Sequence, residues 1–307
     1  MTKLATFESS TGPHLGAVRN GIIVDLTRAA AELGVPQADW AQSSLALLEA
    51  GQAGLDGLAK LLATVDGMGI DTARQIGFVV DEAAVKFLPP LPRPPKILCV
   101  ARNYGKHAAE AGRPLSEIPI IFARFAKTLV AQGGDVVVPR VSEQLDWEGE
   151  LAVIIGKPGR YITRENAMQH VAGYSIFNDV TVRDYQFRVS QYTSGKNFSK
   201  SGPFGPYLVL ADEVADPHAL DIKTRLNGEL VQDGNTSEMV FDIPTIIEHL
   251  SEWLELEAGD VIPMGTPAGV GFTRQPPRFL RHGDVISVEV EGLGVLTNPV
   301  IDEKVSA

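Results

Sequence analysis

Asp146, Glu148 and Glu150 alternate along Asp146-Trp147-Glu148-Gly149-Glu150, directly before the apolar run Leu151-Ala152-Val153-Ile154-Ile155. In an extended strand the side-chain period is two, so the three acids share one face. Like charges on one face repel unless a cation lies between them. Carboxylate oxygens suit a hard divalent ion such as Mg²⁺, Mn²⁺ or Ca²⁺, and no Cys or His in the segment argues for zinc. The competing reading is a strand start whose acids are simply solvated.

Four further segments carry residue types able to do chemistry. In Arg102-Asn103-Tyr104-Gly105-Lys106-His107-Ala108-Ala109-Glu110, a helix would set His107 and Glu110 three apart on one face. The carboxylate could then orient the imidazole, and such a dyad takes a proton from water. Taken alone, the pair also reads as an incidental feature of a surface helix. Asp179, at the end of the apolar stretch Gly173 to Phe177, reads either as a third metal ligand or as a helix N-cap. The Gly/Pro-shaped loop from Ser194 to Pro206 presents Lys196 and Lys200. The glycines of Gly265-Thr266-Pro267-Ala268-Gly269-Val270-Gly271 let backbone N–H groups approach an anion, or form a tight turn.

The elements that must position these residues follow from pattern. Residues 1–90 read as a small α+β domain: strands at Lys3 to Phe7, Leu15 to Val18 and Gly21 to Leu26, then amphipathic helices at Ser43 to Ala50 and Gly54 to Leu62. Leu88-Pro89-Pro90-Leu91-Pro92-Arg93-Pro94-Pro95 removes backbone donors and reads as the connector into a main domain spanning 91–307. That domain is dominated by strands, at Val136 to Val138, Leu151 to Ile155, Tyr207 to Leu210, Ile222 to Val231 and Val285 to Val290. Asn227-Gly228 signals a type I′ hairpin. Helices are expected at Arg164 to His170 and Pro244 to Leu254. The pattern predicts a β-rich α+β fold, and the absence of a Gly-x-Gly-x-x-Gly or Walker loop argues against nucleotide-binding architectures.

Composition narrows the function classes. The 307 residues carry 27 Lys plus Arg against 38 Asp plus Glu, a net charge of −11 that argues against nucleic acid or an anionic membrane as partner. No run approaches the ~20 apolar residues of a membrane span, and the first residues lack a signal-peptide core, so a cytoplasmic protein is expected. The single cysteine, Cys99, reads as a buried strand residue.

In this order, the motifs resemble the fumarylacetoacetate hydrolase family over roughly Lys96 to Val300. They comprise Asn-Tyr-x-x-His-x-x-Glu at 103–110, Asp-x-Glu-x-Glu-Leu ending at Leu151, Asn-Asp-x-x-x-Arg-Asp-x-Gln at 178–186, Gly-Lys-x-Phe at 195–198, Gly-Pro at 205–206, Asn-Gly-Glu at 227–229 and Gly-Thr-Pro-x-Gly-Val-Gly at 265–271. The resemblance implies a mixed β-sandwich or roll with a smaller N-terminal domain, assembled as a homodimer. It implies Mg²⁺ or Mn²⁺ on Glu148, Glu150 and Asp179, catalytic roles for His107, Glu110 and Lys196, and substrate contacts from Gln186 and Thr266. Arg102, directly before the first motif, and Tyr104 within it join that substrate-binding set. Many relatives have a lysine-proline step where this chain reads Ala123-Arg124-Phe125, so Arg124 is expected to carry the positive charge toward a substrate carboxylate. The implied activity is hydrolysis of the C–C bond of a 2,4-dioxo acid, an acylpyruvate or fumarylpyruvate-like substrate, as in aromatic catabolism. The alternative is decarboxylation, isomerisation or hydration of a 2-oxo or 2-hydroxymuconate-type diacid, oxaloacetate included.

Overall fold

The computed structural model describes residues 2–304. Its chain opens on an antiparallel meander, β1 (Lys3–Ser9), β2 (Gly12–Arg19) and β3 (Ile22–Asp25). Four helices follow, α1 (Leu26–Glu32), α2 (Ser44–Glu49), α3 (Gly51–Met68) and α4 (Ile70–Ile76), before β4 (Val79–Asp81). Local chemistry starts the first two: the Asp25 and Ser43 side chains accept the backbone N–H groups of Arg28 and Ala46. Leu58, Leu61, Leu62 and Val65 recur at helical spacing and form the buried stripe of α3.

The rest of the chain adds β5 (Leu98–Ala101), α5 (Gly105–Glu110), β6 (Ile120–Ala123) and β7 (Val136–Val138). Next come β8 (Gly149–Ile155), β9 (Val171–Asn178), α6 (Arg183–Gln186), α7 (Thr193–Lys196) and β10 (Gly202–Leu210). The chain closes with β11 (Asp221–Leu226), β12 (Glu229–Asn235), α8 (Ile243–Trp253), β13 (Val261–Pro263), β14 (Val285–Val290) and β15 (Gly294–Asp302). The β11–β12 hairpin turns at Asn227 and Gly228, both at positive φ (53° and 86°), as type I′ geometry demands.

Two sheets carry the architecture. In the larger one the path β13-β8-β9-β10-β1-β2-β3-β4 is continuous, so β1 pairs with β10 (Leu4 opposite Leu208) and residues from both ends of the chain share one sheet. The smaller sheet runs β12-β11-β14-β15-β7. Every residue of β8 is buried, which marks a strand covered on both faces. Ala152 and Ile154 pack in a core with Leu58, Leu61 and Leu4. Leu151, Val153 and Ile155 face the other way, toward Ile222, Val288 and Leu296 of the smaller sheet and Ile246 and Leu250 of α8. The molecule is therefore β-rich α+β, with the large sheet between the helices of the N-terminal ninety residues and the small sheet. The proline-dense stretch is built into this packing, since Leu91 is buried and the Pro90 carbonyl accepts from Thr6 Oγ1.

One expected helix is shorter than its pattern suggested. Only a 3₁₀ turn, Ala167–His170, forms at the Arg164–His170 stretch. The Arg164 backbone N–H goes to Glu248 Oε1 and its guanidinium to Asp242 and Thr245, so α8 captures the residue that would have opened the helix.

Candidate active site

The acidic motif does not run as one straight strand. Leu145–Asp146 pairs with Val182 and Thr181, the chain leaves the sheet at Trp147 and Glu148, and β8 begins at Gly149. Antiparallel pairing then sets Gly149 opposite Asn178, which brings the end of β9 beside the start of β8. Asn178 Oδ1 accepts the Glu148 N–H at 3.0 Å, and the Asp179 N–H donates to the Glu148 carbonyl at 2.8 Å. Glu148, Glu150 and Asp179 are consequently all buried, and each offers an oxygen within 4.8 Å of the others. Asp146 stands apart: its carboxylate accepts from Gly271 N–H (2.7 Å), Phe272 N–H (3.0 Å) and Arg183 Nε (2.8 Å).

Three buried cations partly offset these acids. Lys196 Nζ lies 2.6 Å from both Glu148 Oε2 and Asp179 Oδ2, Arg183 Nη1 lies 2.6 Å from Glu148 Oε1, and Arg124 pairs with Asp179 Oδ1. Burial alone would raise the Glu148 carboxyl, but Lys196 and Arg183 hold it down at about 2. Burial would likewise strip Lys196 of its proton, and Asp179 and Glu148 instead keep it charged. Glu150 behaves in the opposite way. Burial, and then the charges of Asp179 and Glu148, push its carboxyl well above the usual range. Its carboxylate accepts a single hydrogen bond, from Gly265 N–H to Oε2 at 2.8 Å. A clustered, all-oxygen donor set with one member this short of positive charge fits a hard divalent cation.

α5 supplies the second half of the site. His107 Nδ1 donates to Glu110 Oε1 at 2.9 Å, which leaves Nε2 as the ring nitrogen free to accept a proton. Glu110 is itself held by the Gly269 N–H, at 3.1 and 2.9 Å from its two oxygens. Gly269 sits at φ 108°, and a Cβ there would stand 2.3 Å from the Val231 carbonyl. At Gly271 a Cβ would lie 1.9 Å from the Arg278 carbonyl, so only glycine lets its N–H reach Asp146. The glycine loop thus does bind anions through its backbone, but Gly265, Gly269, Gly271 and Phe272 spend their N–H groups on the protein's own Glu150, Glu110 and Asp146.

His107, Glu148, Glu150, Asp179 and Lys196 line one cavity of about 300 Å³. Arg102, Gln186 and Thr266 lie on its wall as well. Gln186 Oε1 accepts from Arg183 Nη1 at 3.0 Å, and Thr266 Oγ1 donates to the Gly149 carbonyl while accepting from Gln232. Two residues expected at the substrate lie elsewhere. Arg124 has no exposed side-chain surface and sits behind Asp179, held by Ser201 Oγ and the Val180 carbonyl. Its positive charge orients a carboxylate of the protein. Tyr104 is fully buried, with a hydroxyl that finds no partner. It serves the wall from behind, and burial, followed by the Glu150 charge, raises its hydroxyl far above the ordinary tyrosine range.

Arg183 is the functional-looking residue that the sequence reading passed over. It joins Asp146 to Glu148, stacks over Phe272 at 4.4 Å, and keeps a buried Nη2 without a partner. Its signal was present as the arginine three residues before Gln186. Phe187, Phe272 and Arg113 on the cavity mouth were also missed, and nothing in their local spacing announces them.

Comparison with known proteins agrees with this geometry. Residues 96–301 match the family described as fumarylacetoacetate (FAA) hydrolase, C-terminal. The chain is 42% identical over 294 residues to a mitochondrial oxaloacetate tautomerase of Bos taurus, covering 94% of this chain and 88% of that one. It is 44% identical over 228 residues to an oxaloacetate tautomerase of Bacillus subtilis, covering 73% and 75%. Among solved structures, it superposes with a TM-score of 0.77 and 29% identity on maleylpyruvate hydrolase from Sphingobium in complex with manganese(II) and pyruvate, covering 98% of this chain and all of that one. Ordered motifs, fold and overall likeness converge, and the chain belongs to the fumarylacetoacetate hydrolase family.

Proposed function

We propose that this protein is a Mg²⁺- or Mn²⁺-dependent enzyme that interconverts the keto and enol forms of a short 2-oxo acid of the oxaloacetate type. The observation that carries the reading is the shared cavity: a buried three-carboxylate cluster faces a histidine whose Nδ1 is tied to Glu110. Likeness to oxaloacetate tautomerases, over 94% of the chain for one and 73% for another, supports this reaction among those the same groups could run.

Glu148, Glu150 and Asp179 would hold a divalent ion, which would supply Lewis-acid polarisation of the substrate. His107 Nε2 takes a proton from C3 of the keto acid, Glu110 stabilises the resulting imidazolium, and the imidazolium gives a proton to the C2 oxygen, which restores the base. No atom is gained or lost. Lys196 and Arg183 add positive charge on the side where the oxygen becomes anionic. Loss of the ultraviolet absorbance of enol-oxaloacetate, accelerated by protein with Mn²⁺ and not by chelated protein, tests the reading. Absence of acceleration removes it.

A second reading is C–C hydrolysis of a 2,4-dioxo acid, in which the same His107 activates water to give a 2-oxo acid and a second carboxylic acid. It is favoured by the dyad, which suits water activation, and by the maleylpyruvate hydrolase likeness. Pyruvate released from an acylpyruvate, without enol conversion, selects it. Assembly as a homodimer is part of the proposal, and light scattering that reports a monomer contradicts it. Among the described residues no helix is long and apolar enough to cross a membrane.

A further inference from the structure

The cavity has a second charged end that the reaction above does not use. Arg113, on the loop after α5, lines its mouth, and its guanidinium makes no hydrogen bond or ion pair among the described residues. The guanidinium lies over the Phe187 ring at 5.8 Å, Phe187 packs edge-on against Phe272 at 5.5 Å, and Arg183 caps Phe272 at 4.4 Å. Two arginines therefore bracket one aromatic pair along the cavity wall, the inner one beside the carboxylate cluster and the outer one at the mouth. Arg102 steadies the outer arm, since its Nη1 donates to the Pro114 carbonyl at 3.1 Å, one residue beyond Arg113. Arg102 likewise has no acidic partner. In a chain of net charge −11, a mouth whose two guanidiniums face no acid is a place for an incoming anion.

We propose that Arg113 receives the distal carboxylate of the substrate, so that the cavity selects 2-oxo diacids over 2-oxo monoacids. The proposal rests on the function above for its orientation: the 2-oxo carboxylate end goes to the carboxylate cluster, and whatever the substrate carries beyond C3 meets the mouth. An apolar acyl chain there would meet Phe187 and Val189 and leave Arg113 unused. A carboxylate would gain a charge-assisted bond to a planar fork.

The test compares L-malate with L-lactate, which share a 2-hydroxy acid end and differ by the distal carboxylate, as ligands of the Mn²⁺-loaded protein in titration calorimetry. Preference for malate by about 10- to 100-fold is expected, the range for one charge-assisted hydrogen bond. Arg113→Met should remove that preference by weakening malate, leave lactate affinity within twofold, and Arg113→Lys should restore part of it. Equal affinity for the two acids in the unaltered protein, or a preference that survives Arg113→Met, overturns the proposal. Binding requires no turnover, so a protein that accelerates no enol conversion yet loses malate preference in Arg113→Met would defeat the proposed reaction and uphold the arginine.

Discussion

The floor and the mouth of the cavity are built on opposite terms. On the floor, Glu148, Glu150, Asp179, Arg183 and Lys196 are all buried and anchored at strand ends or short helices; hydrogen bonds of 2.6 Å link Glu148 to Arg183 and Lys196 and Lys196 to Asp179, and the Gly265 N–H holds Glu150. At the mouth, Phe187 and Val189 are 47% and 60% exposed and the Arg113 guanidinium is held by ring contact alone. Reaction chemistry shared by a family calls for preorganised charge, which only a dry, rigid setting supplies. Substrate choice needs a surface that can change without undoing the fold, and loops at the rim provide it. On the proposed function the floor would carry the reaction and the rim the selection.

Substitutions can break this division or sharpen it. Glu150→Ala removes the proposed ligand least supplied with hydrogen bonds, so it should abolish Mn²⁺ binding and all metal-dependent turnover, as chelation should. Calorimetry that finds unaltered Mn²⁺ affinity would take Glu150 off the floor. His107→Ala should lower turnover by ~100- to 10,000-fold, the range for a positioned base, while Mn²⁺ affinity stays put. Enol-conversion kinetics beside metal titration separate those effects. Arg183→Met leaves Asp146 and Glu148 facing each other with one buried cation removed, and urea unfolding should report a loss of about 3–5 kcal/mol.

Smaller effects test the edges of the comparison. Asp146→Asn acts through Arg183 and the Gly271 N–H, so Mn²⁺ affinity should fall by roughly 10- to 100-fold, the scale for a group that orients a ligand. An unchanged affinity would show that the floor is not one network. Val189→Ser, at the rim, should move unfolding stability by no more than about 0.5 kcal/mol, as exposed positions do. A larger loss would mean that the rim also supports the core.

What could be read in advance was local. The Glu-x-Glu spacing, the His107–Glu110 offset of three, and the Asn227-Gly228 turn each express their geometry within a few residues, and the structure keeps all three. Arg124 was misread, and the carboxylate partners of the glycine loop were missed, for one shared reason. Whether a guanidinium or an N–H faces a ligand or a protein carboxylate depends on partners far along the chain, 55 residues from Arg124 to Asp179 and 159 from Gly269 to Glu110. Asp146 escaped the strand periodicity because the break at Trp147 and Glu148 comes from pairing with Thr181 and Val182, which no alternation pattern encodes. The continuity of β1 with β10 was hidden for the same cause.

That continuity sets an order of events during synthesis. The partner of Lys3–Leu4, the stretch at Leu208–Val209, leaves the ribosome some two hundred residues later, a wait of roughly 10–40 s at ~5–20 residues per second. Through that interval β1 can pair with β2 on one side and, once Phe87–Leu88 is made, at Thr6 and Phe7 on the other, while the backbone of Lys3 and Leu4 stays open on that side. The nascent chain therefore carries a sticky edge that a second nascent copy could occupy first. A polypeptide released early, before residue 202, would keep that edge for good.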